Sequence, residues 1–337
     1  MIRTAIFCLS PSSLALLMLC TAMPAQAATF TVFDAPGATQ TTPVSIDASG
    51  RVTGSWSADH STAHGFVRSA DGTITSFDPD GSAVTVPVGI DGRGRVWGSY
   101  TAAADRSLSY GFVRNAAGNI STFDIGHLGQ TDATGFSTQA GATGYYYDNH
   151  AHVRGFVKPL HGKARSFVIP GAYYTLGYAI NNSGAIAGQF VDDDFNVHAF
   201  LRAPDGSFTF FDPPHSVETG ALAINDAGTI AGEYVDAASV SHGYVRDAEG
   251  AFTAFDPNGS VETTPLAINA AGTIVGTYAT SDGVVHGFLR KADGTIKRLD
   301  EPDAKSSTRP AGINDKGMVT GDFTDANGLM HGFIWTK

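Results

Sequence analysis

The side chains best suited to chemistry in this chain recur. His64, His198, His242, His286 and His331 occupy one position of a repeated stretch, with Tyr110 and Arg154 in the other two copies. Imidazoles can bind metal or move protons near neutral pH, but the spacing points to a different role. Fourteen residues after the first six of these positions stand Asp78, Asp124, Val168, Asp212, Asp256 and Asp300, and the copy without the Asp is the one carrying Arg154. With a three-residue turn such as Ala292-Asp293-Gly294, His286 and Asp300 fall opposite each other on neighbouring antiparallel strands. The expected role is therefore a His to Asp hydrogen bond that ties two strands. For His331 the expected partner is Asp34, near the other end of the chain.

A second group stands out because it breaks the pattern. The third copy reads Tyr145-Tyr146-Tyr147-Asp148-Asn149-His150-Ala151-His152 and is followed by Pro170-Gly171-Ala172-Tyr173-Tyr174. Exposed tyrosines beside carboxylate and imidazole suit a polar ligand with flat apolar faces, such as a sugar, because rings stack while polar groups fix orientation. Tyr145, Tyr146, Tyr147, Asp148, Asn149, His150, His152, Tyr173 and Tyr174 are thus the candidate binding residues, with Asp192-Asp193-Asp194 expected beside them. His150 and His152 could share one side of a strand, but a third metal ligand is not evident, and no metal site is assigned. Asp192, Asp194 and Asn196 alternate like calcium ligands yet lack the Gly and the distal Glu of that loop motif.

These residues are positioned by a repeat. The stretch G-x-[IV]-x-G-x-[FYW] recurs seven times, its second Gly falling at Gly54, Gly98, Gly144, Gly188, Gly232, Gly276 and Gly321. Steps of 44 to 46 residues suit propeller blades. The unit from Thr263 to Glu301 holds four strand-length runs, Pro265 to Ile268, Thr273 to Ala279, Val284 to Arg290 and Thr295 to Asp300, separated by Gly-containing turns. The residue before the Ile of the first run is Ser45, Gly89, Gly135, Ala179, Ala223, Ala267 or Gly312, small in every unit, as crowding at a propeller axis requires. The fold expected is an all-β seven-bladed β-propeller with four strands per blade. The last unit stops after three strands and Thr29 to Asp34 supplies a fourth, so the N-terminal strand is expected to complete the last blade and close the ring. The aromatic two residues after the second Gly, Trp56, Tyr100, Tyr146, Phe190, Tyr234, Tyr278 or Phe323, is expected to pack between blades. The Asn or Asp after the Ile, as in Asn225 and Asn269, is expected to cap its own turn.

Composition sets the compartment. Residues 1–27 read as a secretory signal, with Arg3, an apolar stretch over Leu14 to Leu19, and Ala25-Gln26-Ala27 as a cleavage site, giving a secreted or periplasmic protein that starts at Ala28. Both cysteines, Cys8 and Cys20, lie in this leader. Cleavage removes one of 21 bases and none of 32 acids, moving the formal charge from -11 to -12, which argues against a nucleic-acid partner. No later apolar run is long enough to span a bilayer. Residues 28–337 are read as one propeller domain, expected to be a monomer.

The pattern I-N-x-x-G-x-[IV]-x-G followed by H-[AG]-F resembles that of the HAF extracellular repeat proteins of bacteria, and His198-Ala199-Phe200 carries the triplet itself. The Asn is Asp47, Asp91 and Ser137 in the first three units. The resemblance implies an exported repeat protein and brings no catalytic residue or ligand with it. Nucleophile elbows, phosphate loops, H-E-x-x-H and paired thiols are absent from the sequence. The function expected is a non-enzymatic binding or surface-interaction scaffold for carbohydrate or a cell-surface protein, without a cofactor. The alternative is a secreted glycosidase or lyase. Deleting Thr29 to Asp34 is expected to lower the melting temperature and promote oligomers, and unchanged melting with a monodisperse sample would count against a closing strand.

Overall fold

The computed structural model describes residues 28–126 and 128–337, so the expected leader lies outside the described residues. Those residues form β-strands and turns, and no helix occurs among them. Each of the first six sequence repeats is a four-stranded antiparallel meander, and the seventh supplies three strands. Unit six runs Ser260–Ile268, Ile274–Thr280, Val285–Arg290 and Ile296–Arg298. Its first strand starts five residues before the apolar run that marks it in the sequence. Ser260 to Thr264 is mostly polar, but it pairs with Thr277 to Thr280 through backbone bonds that need no apolar side chain.

The fourth strand beside Met330–Thr336 is Thr29–Phe33, in register from Thr29 opposite Thr336 to Phe33 opposite Gly332. Consecutive units touch through one parallel bridge each, from the third strand of one to the first strand of the next, as at Val153 and Tyr174 or Val197 and Glu218. Met330 makes the same bridge to Gln40 of unit one.

One irregularity repeats in every unit. Pairing of the first and second strands slips by one residue just before the small position, between Gly177 and Ala179 in unit four and between Pro43 and Ser45 in unit one. A bulge leaves one residue unpaired and re-aims its side chain. The bulged residues, Val44, Val88, Thr134, Tyr178, Leu222, Leu266 and Ala311, line a common cavity of 220 Å³ with the first strands of all seven units. The small column is crowded as expected, since a Cβ on Gly135 would lie 2.4 Å from the Tyr178 carbonyl oxygen of the next unit.

Around this axis runs a chain of side-chain amides. The Oδ1 of Asn225 accepts the backbone N–H groups of Ala227 and Thr229, as a turn cap should. Its Nδ2 does something the sequence reading left out and donates to the carbonyl of Asn269 in the next unit at 3.2 Å. Asn181 reaches Asn225, Asn269 reaches Asn314, and Asn314 reaches Asp47 in the same way. Asp47 has no amide to give, and Arg51 replaces it. The guanidinium pairs with the buried Asp47 carboxylate at 2.7 Å and donates onward to the Asp91 carbonyl at 3.3 Å. Arg95 pairs with Asp91 likewise at 2.6 Å.

Asn225→Asp is therefore expected to destabilise by about 1–3 kcal/mol, because it strands a buried carbonyl and leaves a buried charge unpaired. Adding Thr229→Arg, which copies units one and two, should recover most of that loss in a denaturant titration. Failure of the second change to help would show that the arginine is not a substitute for the amide.

Candidate binding surface

Both groups of chemically capable residues can be located. The histidine column forms the expected ties. His64, His198 and His242 place Nδ1 2.7 Å from Asp78, Asp212 and Asp256, while His286 and His331 lie 2.9 Å from Asp300 and Asp34. The second carboxylate oxygen often holds the next unit, as where Thr85 Oγ1 donates to Asp78 at 2.6 Å and Thr263 Oγ1 to Asp256 at 2.7 Å. The aromatic column packs between units as expected, Phe190 clustering with Phe167 and Ile169 of the preceding unit, Tyr278 with Phe255 and Phe323 with Leu299. It also stacks on the histidine directly opposite in its own unit, with centroids 5.2 Å apart for Phe190 and His198 and 5.1 Å for Tyr234 and His242. Antiparallel register places these pairs face to face.

In unit three Arg154 takes the histidine position and turns to the loop between the second and third strands. Its Nε donates to Asp148 Oδ2 at 3.0 Å, and its Nη2 to His152 Nδ1 at 3.2 Å. The other Asp148 oxygen accepts the backbone N–H groups of His150 and His152. Burial opposes ionisation of Asp148, but these donors together hold its carboxyl well below the usual range. Ligand atoms of Asp148, His150 and His152 all lie within 4.8 Å of one another. The guanidinium of Arg154 supplies the positive charge there, and a metal ion would have to displace it. Asp192 is likewise engaged by its own turn, accepting from Asp194, Asn196 and His198.

The tyrosines separate by strand alternation. Tyr145 and Tyr147 share one face of the second strand with rings 6.4 Å apart. Tyr146 points the other way, opposite Arg154, and stands against Gly126. It does not belong to the cluster that the sequence suggested, and Asn149 is an exposed turn residue. Tyr173 and Tyr174 have centroids 4.5 Å apart. The Tyr174 phenol is raised by burial and by the neighbouring Tyr173 and Tyr147 phenols.

Two groups escaped the sequence reading. The first is Phe195, whose ring lies 5.6 Å from Tyr173 in an edge-on contact and is 71% exposed. It adopts φ 65°, as Ala151 and Ser239 do at the same place in units three and five, where units six and seven use Gly283 and Gly328. The second group runs inward from Tyr145. Asp132, paired opposite Tyr145, is raised by burial against a bond from Ser109. Tyr178 is pushed up to about 12 by burial, with Tyr145 and Glu233 adding to it. Glu233 is raised by burial although Thr264 Oγ1 bonds it at 2.8 Å. A signal for this group was present: the position after the second Gly reads Ser55, Ser99, Tyr145, Gln189, Glu233, Thr277 and Asp322, a variable column in a uniform repeat.

No protein family matches the chain, and no curated protein matches it. Solved structures do share its fold. A catalytically inactive virginiamycin B lyase from Staphylococcus aureus, with quinupristin, has 17% identity and a TM-score of 0.59, covering 92% of this chain and 100% of that one. The β-propeller domain of the trilobed protease from Pyrococcus furiosus has 11% identity and a TM-score of 0.58, covering 87% and 94%. A lectin from Burkholderia pseudomallei has 12% identity and a TM-score of 0.51, covering 92% and 96%. The likeness is one of fold, and the chain is a β-propeller.

The histidine ties give stability a pH dependence. Burial alone would lower His198, His242 and His331, but two carboxylates on each ring outweigh it and raise all three. A raised folded value means stabilisation that is full below the unfolded value of about 6.5 and is lost as pH rises through the folded one. The turn carboxyls Asp192, Asp236 and Asp325 are lowered, mainly by donors from Asn196, Val240 and Leu329, so their share is lost only as pH falls below about 4. Melting temperature is expected to be higher at about pH 5.5 than at about pH 8.5. Replacing the three histidines by Gln should flatten that difference, and a difference that survives would assign it elsewhere.

Proposed function

We propose that the chain is an exported propeller of seven four-stranded blades, closed into a ring by Thr29–Phe33. In this reading it works as a monomeric, non-enzymatic scaffold that binds carbohydrate where blades three and four meet. Closure is supported by the pairing of Thr29–Phe33 with Met330–Thr336 and by the bond from Asn314 to the Asp47 carbonyl. Export and membership of the HAF repeat proteins rest on the leader pattern and on the I-N-x-x-G and H-[AG]-F repeats.

The binding reading is carried by Phe195. A bulky residue at φ 65° costs about 1–2 kcal/mol relative to an ordinary conformation, and a ring left 71% exposed regains little of that by burial. Folding alone favours Gly there. With Tyr173, Tyr174 and Tyr147 the ring forms an aromatic strip over which a sugar can stack. Asp148, His150 and His152 stand on the neighbouring loop to orient hydroxyls. A lectin is among the proteins that share the fold.

Screening purified protein on a glycan panel, with Phe195→Gly beside it, tests this directly. The variant is expected to melt higher than the parent while losing roughly tenfold in glycan affinity. Undiminished binding by both Phe195→Gly and Tyr173→Ala would sink the surface. One observation favours the alternative: Asp132 and Glu233 are both raised by burial, as a general acid needs. Glycan turnover that disappears in Glu233→Gln would replace the scaffold by a glycosidase or lyase.

A further inference from the structure

Six seams between units are built alike. A Phe on the fourth strand of one unit is covered by a cation on the third strand of the next, two residues beyond an aromatic ring. At five of the six that ring packs edge-on against the Phe, while Phe211 and Tyr244 both meet Phe252 instead. Phe77, Phe112 and Arg114 show the arrangement, with the guanidinium 5.0 Å from the Phe77 centroid and the two rings 5.8 Å apart. Arg68 covers Phe33, Arg202 covers Phe167, Arg246 covers Phe211, and Arg290 covers Phe255, all at 4.7 to 5.1 Å, while Lys158 lies 6.0 Å from Phe123. Between units six and seven both partners change. Leu299 stands in the Phe column and Trp335 in the Arg column.

A cavity of 820 Å³ opens at that seam. Phe30, Leu289, Leu299, Ile313 and Trp335 line it. Around it stand Lys291, Lys297, Lys316 and Lys337, four of the seven lysines in a chain of net charge -11. None of the four belongs to an ion pair among the described residues, and Lys297, Lys316 and Lys337 are exposed. The nearby acids are already engaged: Asp300 by His286 and Arg298, Asp293 by the backbone of Thr295.

We propose that this seam is a binding site for a single-chain anionic amphiphile, a fatty-acid carboxylate. The volume lies within the range of about 300–1,000 Å³ usual for small-molecule sites. Aliphatic and aromatic walls suit an alkyl chain and provide little that could read a sugar or a base. Unpaired ammonium groups at the mouth suit its carboxylate. The mouth is formed by the turns after the first and third strands, so it lies at the opposite strand ends from the aromatic strip. It neither needs nor excludes glycan binding there. Phe30 belongs to the N-terminal strand, so an occupied site also holds that strand in place.

Calorimetric titration of the purified protein with decanoate and with decanol tests the assignment. Decanoate is expected to saturate one site, and decanol to bind about tenfold more weakly because it lacks the charge. Leu299→Phe with Trp335→Arg restores the pattern of the other seams and should abolish decanoate binding while melting no lower than the parent. Should that pair fold poorly, Lys297→Glu with Lys316→Glu alters only exposed side chains and is expected to weaken decanoate and leave decanol unchanged. Absent decanoate binding, equal affinity for decanol, or undiminished decanoate binding in either variant would overturn the proposal.

Discussion

The rest of the molecule depends on a steric constraint at the first-strand bulge. Its preceding carbonyl presses so closely on the second strand that a Cβ on the facing residue would lie 2.0 Å away at Gly144 and at Gly188. No rotamer relieves such a clash, because the obstructing atom is backbone. The second Gly of the motif is therefore a consequence of the bulge. So is the small column that follows, where the slip brings neighbouring first strands together around the axis. The bulge also sends one side chain per unit into the shared cavity. A single backbone irregularity thus accounts for two columns of uniform residues and one of variable ones.

Cohesion between units comes from three ties: the Asn amides and their Arg51 substitute, the aromatic pair with its covering cation, and the His–Asp–Thr contacts. The cation tie carries a cost: burial lowers Arg68, Arg114, Arg202 and Arg290, and their buried Nε atoms lack hydrogen-bond partners. A desolvated cation over a ring contributes roughly 0.5–2 kcal/mol in return. The net per seam is modest, and it is the number of such contacts that holds the units together. This is why Leu299 and Trp335 could replace one of them without loss of the fold.

The architecture was largely legible because it is written as columns. Period, strand number and turn positions follow from Gly spacing and apolar runs, and the His–Asp tie follows from a fixed separation of fourteen residues. What the columns could not convey was direction. Tyr145, Tyr146 and Tyr147 form one run in the sequence, yet strand alternation sends Tyr146 to the other face. The Asn amide looked satisfied by its own turn because a turn cap uses only the oxygen. Phe195 was hidden in a loop otherwise noticed for its aspartates, and its meaning depends on a φ angle that sequence does not display. Asp132, Tyr178 and Glu233 lie 46 and 55 residues apart in steps, and only the fold brings them into one electrostatic environment.

Departures from a repeat differ in kind, and the difference separates drift from design. Arg154 and Val168 depart together, and the lost tie is replaced: the side chain turns from the fourth strand to Asp148 and His152 on the loop between the second and third strands. Leu299 and Trp335 also depart together; Leu299 stays buried in a cluster with Phe333, which Phe30 meets edge-on, and a cavity opens beside them. Apolar walls left in reach of solvent at this seam forgo the stabilisation that burial would give. Phe195 does the same by holding a strained backbone for an exposed ring. Neutral change is expected to fall on positions where it costs little. These two changes fall where the local physics penalises them, which is why the proposed sites rest on the seam and the aromatic strip rather than on the mere irregularity of the third unit.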